Sequence, residues 1–173
     1  EGTYPLPEAQ VDRFLFKLRV DYPSASELHT ILDRTTAGEE PVLSRVWKDA
    51  SELLRWRAFL RQVPLAREVQ EQAVQMVLAT HPENPAATPK ARRFVRYGAS
   101  PRGAQALILA GKLFALLDGR YHVSRADLEK AALPALRHRV ILNFEGEAEG
   151  ATTDEVITEI LEAGSRHEAA ARA

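Results

Sequence analysis

The chain of 173 residues carries 23 Lys and Arg against 24 Asp and Glu, and 45% of its residues are hydrophobic. These values are typical of one globular domain, or one domain with part of another, and they exclude a disordered or collagen-like chain. The absence of cysteine excludes disulfides and thiolate sites. No apolar run is long enough to span a bilayer, and we expect a cytoplasmic protein.

The first predicted element is a strand over residues 14–20. Apolar residues alternate there with Lys17 and Arg19, which is the period of a strand, and Tyr22 with Pro23 ends it. An isolated strand cannot satisfy its own backbone groups, and the chain offers no evident partner. We therefore expect this strand to pair with a sheet that lies outside the sequence.

From residue 24 onward the apolar residues recur at helical spacing. Helices are predicted from Ser24 or Ser26 to Gly38, and then over about 48–62, 66–80, 101–118, 125–136 and 153–164. Residues 81–99 are predicted to be a long loop with a short element near 92–97, residues 137–142 either a helix end or an extended segment, and residues 146–150 an acidic loop. The predicted fold class is therefore mainly α, a bundle of about five or six helices preceded by one strand.

Two helix starts carry specific signals. Ser100 with Pro101 is an N-cap followed by a proline at the first helical position, and Ser124 with Asp127 fits a capping box. Arg102 then occupies the second helical position, where the helix dipole disfavours a cation. Either an anion lies near Arg102, or it is an ordinary surface arginine.

Arg13 stands between the proline-containing opening and the predicted strand. From this position its guanidinium could project at the edge of a domain. The alternative is a salt bridge with Asp12 or Glu8.

Charge is distributed unevenly along the chain. Residues 44–102 hold 11 Lys and Arg against 5 Asp and Glu, whereas residues 143–173 hold 2 against 8. The basic stretch could complement an acidic neighbour or form a helical nucleic-acid-binding module. That module would use Trp47 and Trp56 among Arg45, Lys48, Arg55, Arg57 and Arg61. Because Trp56 shares a helical face with Leu53 and Leu60, we expect it to lie in a core instead.

Several site classes have no supporting motif. The five histidines are scattered without metal-ligand spacing, and the sequence has neither a Gly-x-Ser-x-Gly elbow nor a Gly-x-x-x-x-Gly-Lys-Ser/Thr phosphate loop. We expect no metal site. Because the chain opens on Glu1 and its single methionine is Met76, we also expect it to be a piece of a longer protein.

Three blocks closely resemble the MoxR family of AAA+ ATPases. They are EGTYPLPEAQVDRF at 1–14, GASPRGAQALILAGKLFALLDGRYHVSRADL at 98–128, and LRHRVILNFEGEAEGATTDEVITEIL at 136–161. The resemblance covers nearly the whole chain. It departs slightly at Val11, where Leu is commoner in the family, and at Gly103, where Ala is commoner.

The resemblance implies a C-terminal fragment, with residues 1–22 ending the αβα nucleotide-binding core and residues 23–173 forming the helical lid. Arg13 matches the arginine finger that reaches the γ-phosphate of a neighbouring subunit. Arg102 matches sensor 2, which together with Ser100 and Pro101 would contact nucleotide, either in its own subunit or across the interface.

The whole protein would then use ATP and Mg²⁺ in a ring of its own subunits, which in this family is usually a hexamer. It would remodel or mature client proteins in the manner of a chaperone, often beside a protein with a von Willebrand factor A domain. The phosphate loop and the carboxylates that hold Mg²⁺ are missing from this sequence. We therefore expect the fragment alone to bind no cofactor and to be inactive.

Overall fold

The computed structural model describes residues 6–36, 38, 44, 46 and 49–172, with side chains up to 166. The described part contains nine helices and one two-stranded sheet, which confirms the mainly α class. The helices are α1 (Glu8–Val11), α2 (Ala25–Thr36), α3 (Ala50–Gln62), α4 (Arg67–Leu78), α5 (Pro89–Phe94), α6 (Pro101–Leu117), α7 (Arg125–Leu136), α8 (Phe144–Ala148) and α9 (Thr153–Arg172). The strands are β1 (Val95–Tyr97) and β2 (Ile141–Leu142). Six of these helices have twelve or more residues.

The chain divides into two compact units, one of residues 18–58 and one of the remaining residues. In the smaller unit, Ser24 begins α2 through a reciprocal pair of contacts with Glu27, since its amide donates to the carboxylate at 2.8 Å and its hydroxyl accepts from the Glu27 amide at 3.4 Å. Neither α2 nor α3 contains a buried residue. Trp56 is 52% exposed, so its predicted place in a core is wrong. A unit of this size buries a smaller fraction of its surface than a larger domain does.

The core of the larger unit lies where α6 packs between α7 and α4, with α9 against α7. Leu107, Leu128, Leu136 and Ile157 are almost fully buried. Small residues fill the positions between them and allow the helices to approach closely: Gly103, Ala106, Ala110, Gly111, Ala131, Ala132 and Ala135. The core is therefore made largely of alanine and valine, with a few large leucine and isoleucine side chains.

Both predicted caps are confirmed. The Ser100 hydroxyl accepts from the Arg102 amide at 3.2 Å and begins α6. The Asp127 carboxylate accepts from the Ser124 amide at 2.8 Å and begins α7. Asp127 also accepts from Arg120, and this contact lowers the pKa of the Asp127 carboxyl to about 2.

The short element predicted near residues 92–97 and the extended alternative for residues 137–142 are both present, whereas the predicted acidic loop overlaps a short helix. Residues 89–97 form α5 and β1, β1 pairs antiparallel with β2, and residues 144–148 form α8 where an acidic loop is predicted. Thr88 caps α5, and Asn143 caps α8 by accepting from the Gly146 amide at 2.9 Å. These elements are too short for a periodic pattern, and the sheet depends on pairing between residues far apart in sequence.

Residues 14–20, predicted to form a strand of a sheet outside the sequence, have neither helical nor strand structure in this chain. A strand needs a neighbouring strand whose backbone bonds its amides and carbonyls. The described residues contain no such neighbour for residues 14–20. Backbone groups within residues 14–17 form hydrogen bonds with α7 and with side chains at its end. The Lys17 amide donates to the Pro134 carbonyl at 2.9 Å, and side chains at the end of α7 bind several of the carbonyls.

Candidate functional site

Arg13 lies in a tight turn directly after α1. Its amide donates to the Gln10 carbonyl at 3.1 Å, and the Phe14 amide donates to the Val11 carbonyl at 3.1 Å. The Arg13 side chain is exposed and borders a shallow groove. Within the described residues it forms no ion pair, so the salt bridge with Asp12 or Glu8 that the sequence left open is not formed. Its guanidinium is available to an external anion.

Arg102 and Ser100 both contact the carboxylate of Asp12. Arg102 Nη1 donates to Asp12 Oδ2 at 2.9 Å, and the Ser100 hydroxyl lies 2.8 and 3.0 Å from the two carboxylate oxygens. Pro101 occupies the first position of α6, which fixes the backbone between them. The anion expected near Arg102 is therefore, in this structure, the side chain that immediately precedes Arg13.

Arg139 supports the same carboxylate from inside the larger unit. Its side chain is 2% exposed, and its Nε lies 3.2 Å from Asp12 Oδ1. The guanidinium also donates to the main-chain carbonyls of Asp12 and Phe14, at 3.0 and 2.6 Å, to that of Leu15 at 3.3 Å and to that of Ala135. One buried arginine thus fixes the backbone on both sides of Arg13.

Two neighbours of Arg139 extend this attachment along the chain. Arg137 Nη1 donates to the Lys17 carbonyl at 3.3 Å, and Arg137 Nε donates to Asp154 at 3.0 Å. His138 Nε2 lies 3.0 Å from the Phe14 carbonyl, and burial lowers the pKa of the His138 imidazole below its ordinary value of 6.5. The neutral ring with its proton on Nε2 therefore donates to that carbonyl.

Asp12 is ionised in this setting. Partial burial acts to raise the pKa of its carboxyl, but hydrogen bonds from Arg102 and Ser100 and the charge of Arg139 outweigh that effect and hold the pKa below its usual range. The hydrogen bond from Arg102 to this carboxylate is charge-assisted and therefore stronger than a neutral one, and the Arg139 guanidinium adds an ion pair. The arrangement joins the start of α6, the end of α7 and the turn after α1.

The structure therefore brings Arg102, Ser100 and Pro101 beside the turn that carries Arg13. Sequence reasoning did not assign roles to Asp12, Arg137, His138 and Arg139. The only signal was three consecutive cationic or titratable residues at the end of a predicted helix, and their partners lie more than a hundred residues away in sequence.

The basic stretch contributes less free positive charge than its sequence suggests. Arg93 pairs with Glu145 at 2.6 Å and with Glu149, and Lys90 pairs with Glu155 at 3.7 Å. Arg92 donates to the carbonyls of Asn84, Pro85 and Ala87 in the preceding loop. Around α5, the acidic end of the chain therefore complements the basic middle. Arg45, Trp47 and Lys48 lie outside the described residues.

The part of the chain that is described supports neither a metal site nor a membrane-spanning helix. No group of three or more His, Asp or Glu side chains is placed to hold a metal ion. In the same part of the chain, every helix is too short or too polar to cross a bilayer.

Comparison with known proteins gives consistent matches. Residues 89–160 match the family described as AAA lid domain. The chain is 33% identical to the chaperone MoxR1 of Mycobacterium tuberculosis, over 94% of this chain and 42% of that protein. It is 30% identical to the protein MoxR of Paracoccus denitrificans, over 83% of this chain and 45% of that protein.

A Bacillus subtilis protein, YeaC, is 35% identical over 94% of this chain and 48% of its own length. Among solved structures, a candidate ATPase from Cytophaga hutchinsonii superposes with a TM-score of 0.84 at 31% identity. The superposition covers 94% of this chain and 49% of that one. The chain thus spans about half the length of the relatives it matches.

Proposed function

Since the chain belongs to the MoxR family of AAA+ ATPases, we propose that it is the C-terminal part of such an ATPase. Residues 1–22 end the nucleotide-binding core, and residues 23–173 form the helical lid. The match of residues 89–160 to an AAA lid domain supports the second assignment. The fragment alone does not hydrolyse ATP, because its sequence lacks a phosphate-binding loop.

Arg13 serves as the arginine finger of the whole protein. The observation that carries this role is its exposed guanidinium, which forms no ion pair with any described residue, in a turn whose backbone Arg139 fixes on both sides. A guanidinium held in this way stabilises the charge that develops on a phosphoryl group during transfer. ATP with Mg²⁺ would be held by the rest of the protein, and Arg13 would act on the nucleotide of the adjacent subunit in a ring, by family habit a hexamer.

Arg102 serves as sensor 2, with Ser100 and Pro101 setting its position at the start of α6. The half-exposed side chain of Arg102 already binds a carboxylate, and the same fork of donors suits a phosphate. Because α6 is central to the core of the larger unit, binding at Arg102 is coupled to the orientation of the lid. The ring uses this coupling for chaperone-like maturation of client proteins in the cytoplasm, in some members beside a von Willebrand factor A domain protein.

The test is a subunit-mixing experiment with the complete ATPase. Arg13→Ala is expected to lower ATP turnover by roughly 10³-fold while nucleotide affinity stays within about twofold, because Arg13 acts on the transition state. Wild-type protein mixed with increasing amounts of the variant should lose turnover faster than simple dilution. The measurement is steady-state phosphate release against the fraction of variant.

Arg166→Ala is the matched control, since Arg166 is also an exposed arginine and pairs only with Glu162 among the contacts described. It is expected to leave turnover unchanged at every mixing ratio. A linear loss of turnover with Arg13→Ala would mean that subunits work alone. An equal loss of binding and turnover would remove the finger role of Arg13.

A further inference from the structure

Asp12 makes two ion pairs that differ in how readily they can be exchanged. Arg139 is 2% exposed and also holds four main-chain carbonyls, so its pair with Asp12 is part of the packed interior. Arg102 is 49% exposed, and its side chain contacts Asp12 alone among the hydrogen bonds described. Because Arg102 is half-exposed, solvent screens its pair with the 17%-exposed Asp12 more than the buried pair of Asp12 with Arg139, so it separates at a smaller cost.

The carboxylate keeps its partners when Arg102 leaves. The Ser100 hydroxyl still donates to the Asp12 carboxylate, and the Arg139 guanidinium still forms an ion pair with it, so its charge is not left unpaired in a partly buried position. Arg102 therefore can exchange one oxyanion for another while Asp12 remains in place. Asp12 also directly precedes Arg13. A change in the partners of the Asp12 carboxylate therefore acts at the turn that carries Arg13.

We propose that Asp12 is a positioning residue that holds Arg102 in a resting ion pair, and that nucleotide phosphate takes the place of the Asp12 carboxylate when it binds. This inference rests on the proposed role of Arg102. The exchange lowers the apparent affinity for nucleotide, because only the released fraction of Arg102 binds phosphate. After the exchange, the Asp12 carboxylate remains paired with Arg139. Arg139 in turn fixes the backbone on both sides of Arg13 during turnover.

Asp12→Asn separates these two effects. The neutral amide still accepts from Ser100 but no longer attracts Arg102, so nucleotide Kd is expected to fall by about two- to fivefold, the range that an exposed ion pair supplies. Because the pair with Arg139 is weakened as well, kcat is expected to fall. A residue with a merely structural role would not tighten nucleotide binding.

The experiment is a double-mutant cycle in the complete ATPase, read by titration with a fluorescent ATP analogue. The four proteins are wild type, Asp12→Asn, Arg102→Ala and the double variant. Asp12→Asn should tighten binding only when Arg102 is present. The proposal that Asp12 holds Arg102 in a resting ion pair is rejected if Asp12→Asn changes the nucleotide Kd equally in both backgrounds. It is also rejected if Asp12→Asn weakens binding in the wild-type background.

The outcomes separate this inference from the proposed function. Arg102→Ala with weaker binding, combined with additive effects in the cycle, keeps the role of Arg102 and rejects that of Asp12. Arg102→Ala with unchanged Kd and unchanged turnover rejects both. Asp12→Glu keeps the charge and should bind nucleotide as wild type does; binding as tight as that of Asp12→Asn would contradict the proposal. Asp12→Ser, also neutral, replaces Asp12→Asn if the latter unfolds at lower urea concentration.

Discussion

At the scale of single residues, the contacts around Arg13 show how one side chain can be left exposed while its backbone is fixed. Arg139 and His138 donate to the Phe14 carbonyl, and Arg139 also donates to the Asp12 carbonyl. Among the described residues, the guanidinium of Arg13 forms no ion pair. The Asp12 carboxylate is already paired with Arg102 and Arg139, so it does not bind Arg13 as well.

His138 provides a pH-dependent test of this attachment. Its half-buried ring is neutral in the folded chain, and protonation would place a second proton on Nδ1, which is buried and has no hydrogen-bond partner among the described residues. Because folding lowers the pKa below 6.5, the unfolded chain binds more protons just below that pH, and stability falls as the pH falls. In His138→Gln this decline should be shallower by up to about 1.4 kcal/mol per pH unit.

Urea unfolding at pH values between 7.5 and 5.5 measures the difference. The control is His122→Gln, which removes an exposed imidazole elsewhere in the chain. If both variants lose the same slope, or if His138→Gln has the wild-type slope, the buried neutral ring is not the cause.

At the scale of the elements, local sequence signals predicted the longer helices and their caps. The two-stranded sheet and the ion pairs around Asp12 depend on contacts between distant residues, which such signals do not contain. Ser100 with Pro101 and Ser124 with Asp127 act within one turn, so the sequence alone contains the information. The sheet of β1 and β2 needs pairing between Val95 and Leu142. The pair of Asp12 with Arg139 likewise joins residues that are distant in sequence, and a periodic pattern cannot predict it.

The tight packing of α6 against α7 depends on Gly111. A Cβ at this position would lie 2.9 Å from Val123 Cγ1 and 3.1 Å from Leu128 Cδ2, both on buried side chains. Alanine gains about 1 kcal/mol in helix propensity over glycine, but overpacking costs about 1–3 kcal/mol. Gly111→Ala is therefore expected to lower the free energy of unfolding by about 1 kcal/mol.

Urea denaturation of Gly111→Ala measures this change, and the double variant with Val123→Ala supplies the control. Removing the Val123 methyl groups makes room for the new Cβ, so the two substitutions should destabilise the chain by less than the sum of their separate effects. Strict additivity, or a stabilising effect of Gly111→Ala alone, would show that the helices are not in contact at this position.

At the scale of the whole molecule, the uneven charge is largely compensated around α5. Lys90 and Arg93 face Glu155, Glu145 and Glu149. These pairs leave few free cations on this surface, although the basic stretch alone resembles a nucleic-acid-binding segment. The sequence left both interpretations open, since the balance depends on which helices pack together.

The expected outcome is that the chain does not bind duplex DNA even at low ionic strength, about 50 mM salt. Fluorescence anisotropy with a labelled duplex measures this. The double variant Glu145→Gln with Glu149→Gln removes both partners of Arg93 and should bind more than the wild type. Steep salt-dependent binding of the wild type would instead favour a nucleic-acid-binding module.

The attachment of the segment after α1 has a consequence for how freely its sequence can change. The donors of Arg137, His138 and Arg139 contact main-chain carbonyls of residues 12, 14, 15 and 17, and no side chain of residues 14–17 takes part in these bonds. Every amino acid supplies the same carbonyl. An engineer could therefore change the exposed side chains of Phe14, Leu15 and Lys17, for example to carry a fluorescent reporter beside Arg13, while Asp12, Phe16 and residues 137–139 must stay as they are.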